Sequence, residues 1–260
     1  MVGKFIYIDD ELTWPAELYN FLSSNLDALR DWEVQQTENK KQLSHERILQ
    51  LVKAYDNVIK GLRKILDNYY LHGYHCTRLT ELEIREIGSN GMSLPNVDSL
   101  SRRIRLLQNE NTITSKVAEL LLSDNQAGDG NRANMIWFCF FKPYIGGQLG
   151  IQRFFKSWGG EALYNSHERN PLTGTLLNGI GNPCVVEAKV PISKMEGPGL
   201  AIKIAKQFMI NKGIANKERT DHEGYINSFL PAGYIMKIHK FPEYGFIELT
   251  KCNLWNYKLR

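Results

Sequence analysis

The chain has 260 residues, of which 43% are hydrophobic and 23% are charged, so it can bury a sizeable core and is not intrinsically disordered. Its formal net charge of +4 is compatible with an anionic partner but does not identify one. No apolar run approaches the roughly 20 residues that span a membrane, and the N-terminus lacks a signal-peptide pattern, so we expect a soluble, cytoplasmic protein.

Residues 1–72 predict a short strand followed by helices. The strand is expected over residues 4–8, and Pro15 suits the first turn of a helix over residues 17–29. Apolar side chains then recur at three- and four-residue steps from residue 43 to about residue 70, which predicts a long amphipathic helix. This N-terminal extension either packs as a helical layer on the main domain or offers a surface to a regulatory partner.

From residue 73 the pattern changes to short strands among helices. β-branched and aromatic runs predict strands over residues 74–78, 135–141, 184–190, 224–229, 235–241 and 245–249. Helical periodicity covers residues 79–89, 96–108, 115–123, 151–164 and 200–212. The irregular order predicts an α+β domain over residues 73–260.

The first candidate site is the segment Tyr-His-Cys-Thr-Arg at residues 74–78. Strand alternation puts His75 and Thr77 on one face, where their donors and acceptors suit ribose hydroxyls or a carboxamide. Arg78 points to the other face unless the strand ends there, where its guanidinium could pair with a phosphate. The alternative for His75 is an ordinary strand histidine with a satisfied hydrogen bond.

The second candidate site is the aromatic strand near residue 137. Trp137 and Phe138 either belong to the core or stack on a flat ring such as a nucleobase or nicotinamide. Arg132 precedes this strand and is a candidate for phosphate contact.

The third candidate is Glu223, which stands at the mouth of a predicted strand beside a glycine. It is either a solvated strand end or a carboxylate that points into a pocket. In a pocket it could stabilise a developing cation or act as a general base.

Further candidates follow the Gly159-Gly160 pair. Glu161 and Tyr164 lie on one helix face at three-residue spacing and are secondary site candidates. The sequence has no GxGxxG or GxxxxGK[ST] phosphate loop and no hydrolase, metalloprotease or kinase signature. Because Cys76, Cys139, Cys184 and Cys252 form no close pair, we expect buried reduced thiols rather than a metal site.

Taken in order, three of these segments resemble the ADP-ribosyltransferase superfamily, whose members carry a strand with His or Arg, a strand with an aromatic residue and a strand headed by Glu. The matching segments are Tyr-His-Cys-Thr (74–77), Met-Ile-Trp-Phe-Cys-Phe (135–140) and Glu-Gly-Tyr-Ile (223–226). DarT-like enzymes and related phage-defence toxins are the most similar in character. The resemblance covers about residues 73–250.

The resemblance implies an ADP-ribosyltransferase-like split mixed β-sheet with flanking helices. It also implies a reaction that moves ADP-ribose from NAD to a nucleophile without a metal. Glu223 would be catalytic, His75 and Thr77 would hold NAD, and Trp137 or Phe138 would form the wall beside the nicotinamide. Arg78, Arg132 and Arg153 would contact the pyrophosphate or a nucleic-acid backbone.

The expected acceptor is a nucleic-acid base, with RNA favoured over DNA. No Glu-x-Glu or Gln-x-Glu precedes the third strand, which disfavours a protein arginine as the target and is compatible with a nucleobase acceptor. In the second motif, Trp137 stands where many members have Tyr, which leaves the stacking residue open. A protein acceptor and a non-catalytic nucleotide- or RNA-binding module are the alternatives. A toxin would also need an antitoxin or other regulatory partner, for which the amphipathic helix of the extension offers a surface.

Overall fold

The structure, a computed structural model, describes residues 5–37, 43–197, 199–216 and 222–260. Helices and strands alternate irregularly along these residues, which confirms the predicted α+β class. The chain divides into two compact units, Met1–His72 with Val190–His222, and Gly73–Lys189 with Glu223–Arg260. One boundary lies after residue 72, where we expected it. Residues 190–222, expected in the second domain, group with the first unit instead.

The strands are β1 (Phe5–Ile6), β2 (Tyr70–Leu79), β3 (Gly91–Met92), β4 (Ile136–Cys139), β5 (Asn182–Pro191), β6 (Glu223–Ile226), β7 (Leu230–Pro231) and β8 (Ile235–Lys240). The helices are α1 (Ala16–Ser24), α2 (Leu26–Thr37), α3 (His45–Leu66), α4 (Glu81–Asn90), α5 (Val97–Asn109), α6 (Ser115–Ser123), α7 (Gly147–Lys156), α8 (Glu161–His167), α9 (Thr173–Gly179), α10 (Gly199–Asn211) and α11 (Tyr244–Thr250). Among the described residues, no helix has the length and apolar content needed to cross a membrane.

The first unit begins with elements shorter than the sequence predicts. β1 pairs in parallel with the first residues of β2, and Lys4 of the predicted strand lies outside the described residues. The helix expected over residues 17–29 is divided at Asn25 into α1 and α2. Pro15 is the residue before α1 rather than part of its first turn.

Helix α3 packs against α1, α2 and α10 within the first unit. It begins two residues later than predicted, because the Ser44 side chain accepts a hydrogen bond from the backbone N–H of Arg47 and caps the helix. Its buried side chains follow helical spacing and are Leu51, Val58, Ile59, Leu62 and Leu66. The apolar face of α3 is therefore covered inside this unit, and its use as a partner surface stays a prediction.

The second unit is built around a sheet with strand order β6-β4-β2-β5-β8. The pairs β6/β4, β4/β2 and β5/β8 are antiparallel, and β3 pairs with β7 in a separate two-stranded sheet. One apolar cluster joins the sheet to α7 and α11 through Tyr74, Phe155 and Phe246. Another joins α5, α6, α8 and α9 around Trp158. Helices therefore flank the sheet, as the sequence predicts.

Two element predictions in the second unit are wrong. Residues 245–249 were expected to form a strand, but they lie in helix α11. Residues 151–164 were expected to form one helix, but they belong to α7 and α8. Between these helices, Gly159 and Gly160 have φ angles of 84° and 59°, which favour glycine and form the turn that leads into α8. The turn leaves Trp158 fully buried and starts α8 at Glu161.

Arg78 is a buried structural residue at the end of β2. Its guanidinium donates hydrogen bonds to the carbonyl oxygens of Ile180, Phe155 and Arg260, at 2.6, 3.0 and 2.9 Å. Burial lowers the pKa of Arg78, but arginine titrates so far above neutrality that it stays charged. The guanidinium thus ties three segments of the second unit to β2, and the predicted phosphate contact is wrong.

We expect Arg78→Met to lower the free energy of unfolding by about 3 kcal/mol or more, since each hydrogen bond to a charged group contributes about 1.5–3 kcal/mol. Arg85→Met on exposed α4 is the matched control and should change it by less than about 0.5 kcal/mol. Urea denaturation of both variants measures the difference. Equal stability of the two variants would contradict a structural role for Arg78.

Candidate functional site

The three segments singled out in the sequence form three neighbouring strands, β2, β4 and β6. In the register of the sheet, Tyr74 lies opposite Cys139, and Cys139 lies opposite Glu223. Segments distant in the sequence therefore meet at one level of the sheet. No single one of these segments encodes this adjacency.

The same register separates the side chains of Glu223 and His75. Because neighbours opposite each other share a face, Glu223 lies on the face of Cys139 and Tyr74. His75 is the next residue along β2 and lies on the other face with Phe138, whose ring centroid is 6.0 Å away. His75 and Thr77 do share a face, as predicted, but it is not the face of Glu223.

A cavity of about 340 Å³ brings most of the predicted residues together. Such a volume is in the range of small-molecule sites. The predicted residues that line it are His75, Arg132, Trp137, Phe138, Glu161 and Glu223. Thr77, Arg78, Arg153 and Tyr164 are not among its lining residues.

The aromatic residues of this cavity differ in exposure. Trp137 is 40% exposed and lies opposite Tyr225 of β6, with ring centroids 4.8 Å apart. Phe138 is 2% exposed and belongs to the core. Of the two aromatic candidates, Trp137 is therefore the one with an exposed ring surface, and its role in stacking stays a prediction.

His75 is held in one orientation by the neighbouring strand. Its Nδ1 lies 2.8 Å from the carbonyl oxygen of Trp137, and since a carbonyl only accepts, Nδ1 carries the proton. Burial lowers the pKa of His75, and although this hydrogen bond raises it, nearby Arg103 lowers it further, with a net lowering. The imidazole is thus neutral at pH 7, with Nε2 as an acceptor suited to a hydroxyl group.

Arg132 is a charged residue of the cavity wall that is already paired. Its guanidinium hydrogen-bonds Gln126, and it lies 3.7 Å from carboxylate oxygens of Asp129 and Glu161. Its Nε is buried and has no hydrogen-bond partner among the residues that the structure describes. Arg132 therefore brings a partly neutralised positive charge to the cavity, and its phosphate contact stays a prediction.

Tyr164 and Arg153 form a structural group beside the cavity. The Tyr164 hydroxyl donates to Glu161 at 3.0 Å, which confirms the predicted adjacency on one helix face. Burial and the Glu161 carboxylate raise the pKa of Tyr164, and the phenol stays protonated. Arg153 stacks 4.2 Å above the Tyr164 ring and pairs with Glu168, so its donors are engaged outside the cavity.

Two cysteines lie next to Glu223, although the three residues are far apart in the sequence. Cys76 on β2 and Cys139 on β4 are half-buried free thiols that line the cavity. Cys139 Sγ donates to the Tyr74 carbonyl oxygen at 3.3 Å. The hydrogen bond with Cys139, burial and the nearby Glu223 raise the pKa of Cys76 well above the usual range of a thiol. Cys76 is therefore a protonated thiol, and it forms no disulfide with Cys139.

A second cavity of about 440 Å³ lies between α4, α5 and the sheet. His75, Pro95 and Arg103 line both this cavity and the first one. Its wall contains Glu83, which accepts hydrogen bonds from the Thr80 N–H at 2.7 Å and from Arg103 Nε at 2.5 Å. Sequence reasoning missed this group, although Thr-x-x-Glu at the start of a helix is a capping-box pattern that indicates Glu83.

The carboxylate of Glu83 is fully engaged and charged. Besides these two donors it accepts from Trp158 Nε1 at 3.0 Å. Burial raises the pKa of Glu83, but the charge of Arg103 and the hydrogen bonds outweigh burial, and the pKa lies below its ordinary value. Arg103 also stacks over the Trp158 ring, with its Cζ 4.6 Å from the centroid. These three residues form a rigid charged group at the junction of the two cavities.

Comparison with known proteins does not assign this site. No protein family, curated protein or solved structure matches the chain. Within the part of the chain that the structure describes, no cluster of His, Cys, Asp and Glu is arranged to hold a metal ion. The site is therefore interpreted from its own chemistry.

We expect Cys76 to react slowly with iodoacetamide at pH 7.5, because only a thiolate is nucleophilic and the pKa of Cys76 is raised. Cys139→Ala removes the hydrogen bond that contributes most to this shift, so Cys76 should react several-fold faster. Peptide mass spectrometry follows the rate at Cys76.

Cys184→Ala on β5 is the control, since Cys184 is buried and is not among the groups that shift the Cys76 pKa. Cys76 should keep its wild-type rate in this variant. An unchanged rate in Cys139→Ala would show that the thiol pair does not control Cys76.

Proposed function

We propose that the second unit is a mono-ADP-ribosyltransferase that transfers ADP-ribose from NAD. The observation that carries this proposal is the adjacency of β2, β4 and β6, which brings His75, Trp137 and Glu223 to one cavity. The resemblance of the three segments to ADP-ribosyltransferases supports the same function. A split ADP-ribosyltransferase-like sheet is part of the proposal.

Glu223 is the catalytic residue of this proposal. In the reaction, the bond between ribose C1 and the nicotinamide nitrogen breaks, and its electron pair leaves with neutral nicotinamide. The ribose develops oxocarbenium character, which a fixed carboxylate stabilises, as in glycoside hydrolysis. The acceptor then attacks C1, and its proton passes to Glu223 or to water. Glu223 is exposed at the start of β6 and lines the cavity, which gives a substrate access to its carboxylate.

The other residues of the cavity bind NAD. The exposed ring of Trp137 forms the wall against which nicotinamide stacks. Neutral His75 accepts a hydrogen bond from a ribose hydroxyl through Nε2, and it reaches the cavity from the opposite face of the sheet to Glu223. Thr77 and Arg78 have no part in the proposed site.

The acceptor we favour is an unpaired nucleic-acid base, in RNA before DNA. Trp137 and Tyr225 form an aromatic pair next to Glu223, and stacking on such rings is how single-stranded bases are held. The preference for RNA, and a role as a toxin in phage defence or with an antitoxin, rest on the resemblance and stay predictions.

Glu223→Gln should reduce NAD-dependent nicotinamide release by about 100-fold or more, since loss of one electrostatic group at a reacting centre costs about 10²–10³ in rate. The side chain keeps its size but loses the charge that stabilises the oxocarbenium ion. Chromatography of nicotinamide measures the rate, with Glu248→Gln on exposed α11 as the control. Equal release by wild type and Glu223→Gln, or release by neither, would contradict the proposed reaction.

The acceptor is tested by incubating the protein with NAD labelled in the adenine and with RNA, single-stranded DNA or a mixture of proteins. Label should enter both nucleic acids, because both offer unpaired bases. It should enter RNA more strongly than DNA, as the resemblance predicts. Trp137→Ala should reduce transfer to nucleic acid. Label in the protein fraction alone would establish a protein acceptor and remove the nucleic-acid proposal.

A further inference from the structure

Arg103 occupies the point where the two cavities of the second unit meet. It lines both cavities, together with His75 and Pro95. One cavity contains Glu223 and Trp137, and the other extends along α4 and α5 away from them. A ligand long enough to occupy both must therefore pass Arg103.

The guanidinium of Arg103 is held on one edge and free on the other. Its Nε donates to Glu83, and its plane lies over the Trp158 ring. Glu83 is itself fixed by the Thr80 N–H and by Trp158 Nε1. Within the described residues, the two Nη groups of Arg103 make no hydrogen bond, and 29% of the side chain is exposed. Arg103 thus presents two parallel N–H donors, and its side chain is already ordered before a ligand binds.

An arginine held in this way recognises an anion with two oxygens in one plane. Guanidinium groups bind carboxylates and phosphates through paired N–H donors, and a fixed side chain loses little entropy on binding. Glu83 neutralises part of the positive charge through Nε, while the N–H donors of the two Nη groups stay available to an anion. His75 next to it is neutral and offers an acceptor for a hydroxyl.

The second cavity has the lining expected for a nucleoside. Apolar side chains from α4, β3 and α5 include Ile87, Met92 and Leu106. Glu86 and Glu110 are exposed on the same wall, and their carboxylates can accept from ribose hydroxyls or an adenine amino group. The cavity thus combines apolar surface for a heterocyclic ring with polar side chains that can hydrogen-bond the edge of the ring and the ribose.

We propose that Arg103 binds the pyrophosphate of a dinucleotide and that the cavity along α4 and α5 holds its adenosine end. The inference rests on the proposed function for the identity of the ligand, because the nicotinamide end is placed at Glu223. Arg103 then separates the reacting half of the ligand from the half that only binds. It is a positioning residue, because it contacts the phosphates and not the reacting ribose.

Isothermal titration with ADP-ribose tests this inference without any reaction, since the ligand has no nicotinamide bond to break. Arg103→Gln should weaken binding by about tenfold to a hundredfold, equivalent to about 1.4–2.8 kcal/mol. Arg103→Lys should give a smaller loss, because an ammonium keeps the charge but not the paired donors. Adenosine, which has no phosphate, should bind wild type and both variants with similar affinity.

Two controls keep the result interpretable. Arg105→Gln removes an exposed arginine of the same helix that contacts Gln108 and lines neither cavity, and it should bind ADP-ribose like wild type. Glu83→Gln combined with Arg103→Gln leaves no buried carboxylate unpaired, so it tests ligand binding if the single variant folds poorly. The melting temperature of each variant is recorded with the titration.

The inference and the proposed function fail in different ways. If ADP-ribose binds through Arg103 but NAD is never cleaved, the transferase proposal is lost and the pyrophosphate site stands. If Arg103→Gln binds ADP-ribose as tightly as wild type, or if wild type does not bind it, the pyrophosphate site is overturned even where nicotinamide is released. An Arg103 dependence seen with short oligonucleotides and not with ADP-ribose would assign Arg103 to nucleic-acid phosphates and overturn the inference as well.

Discussion

The register between β2, β4 and β6 is the constraint on which the rest of the site depends. Antiparallel pairing places Tyr74, Cys139 and Glu223 side by side, so the thiol pair and the carboxylate share one face of the sheet. Because side chains alternate along a strand, a slip of one residue would turn Glu223 away from them. The pairing of these three strands thus determines which side chains share a face with Glu223.

Around this sheet, charged groups are placed according to whether they support the fold or face the cavity. Arg78 donates its hydrogen bonds to backbone carbonyl oxygens. Arg153 stacks on Tyr164 and pairs with Glu168. Arg103 is different, since the Glu83 carboxylate holds one edge of its guanidinium, the Trp158 indole lies against one face, and the other edge is left free. Burial and pairing, rather than the presence of an arginine near a motif, are therefore the grounds on which we propose Arg103 as the anion-binding residue.

Sequence patterns predicted the element types of most of this unit and the shared face of His75 and Thr77. They could not predict that Glu223 lies on the other face, because pairing between distant strands has no local signal. Residues 245–249 have a short apolar run that fits a strand or a helix, and packing of Phe246 against Phe155 accompanies the helix. Arg103 was missed because an arginine on an amphipathic helix resembles any solvated surface residue.

The carboxylate of Glu83 links the start of helix α4 to Arg103, the residue that we propose binds the ligand. Glu83 closes the capping box of α4 through Thr80 and also holds Arg103. Its pKa is depressed in the folded chain, so its stabilising effect is complete above the unfolded value of about 4.3 and is lost as the pH falls through the folded value. A single proton taken up in acid would therefore fray the first turn of α4 and release the guanidinium at the same time.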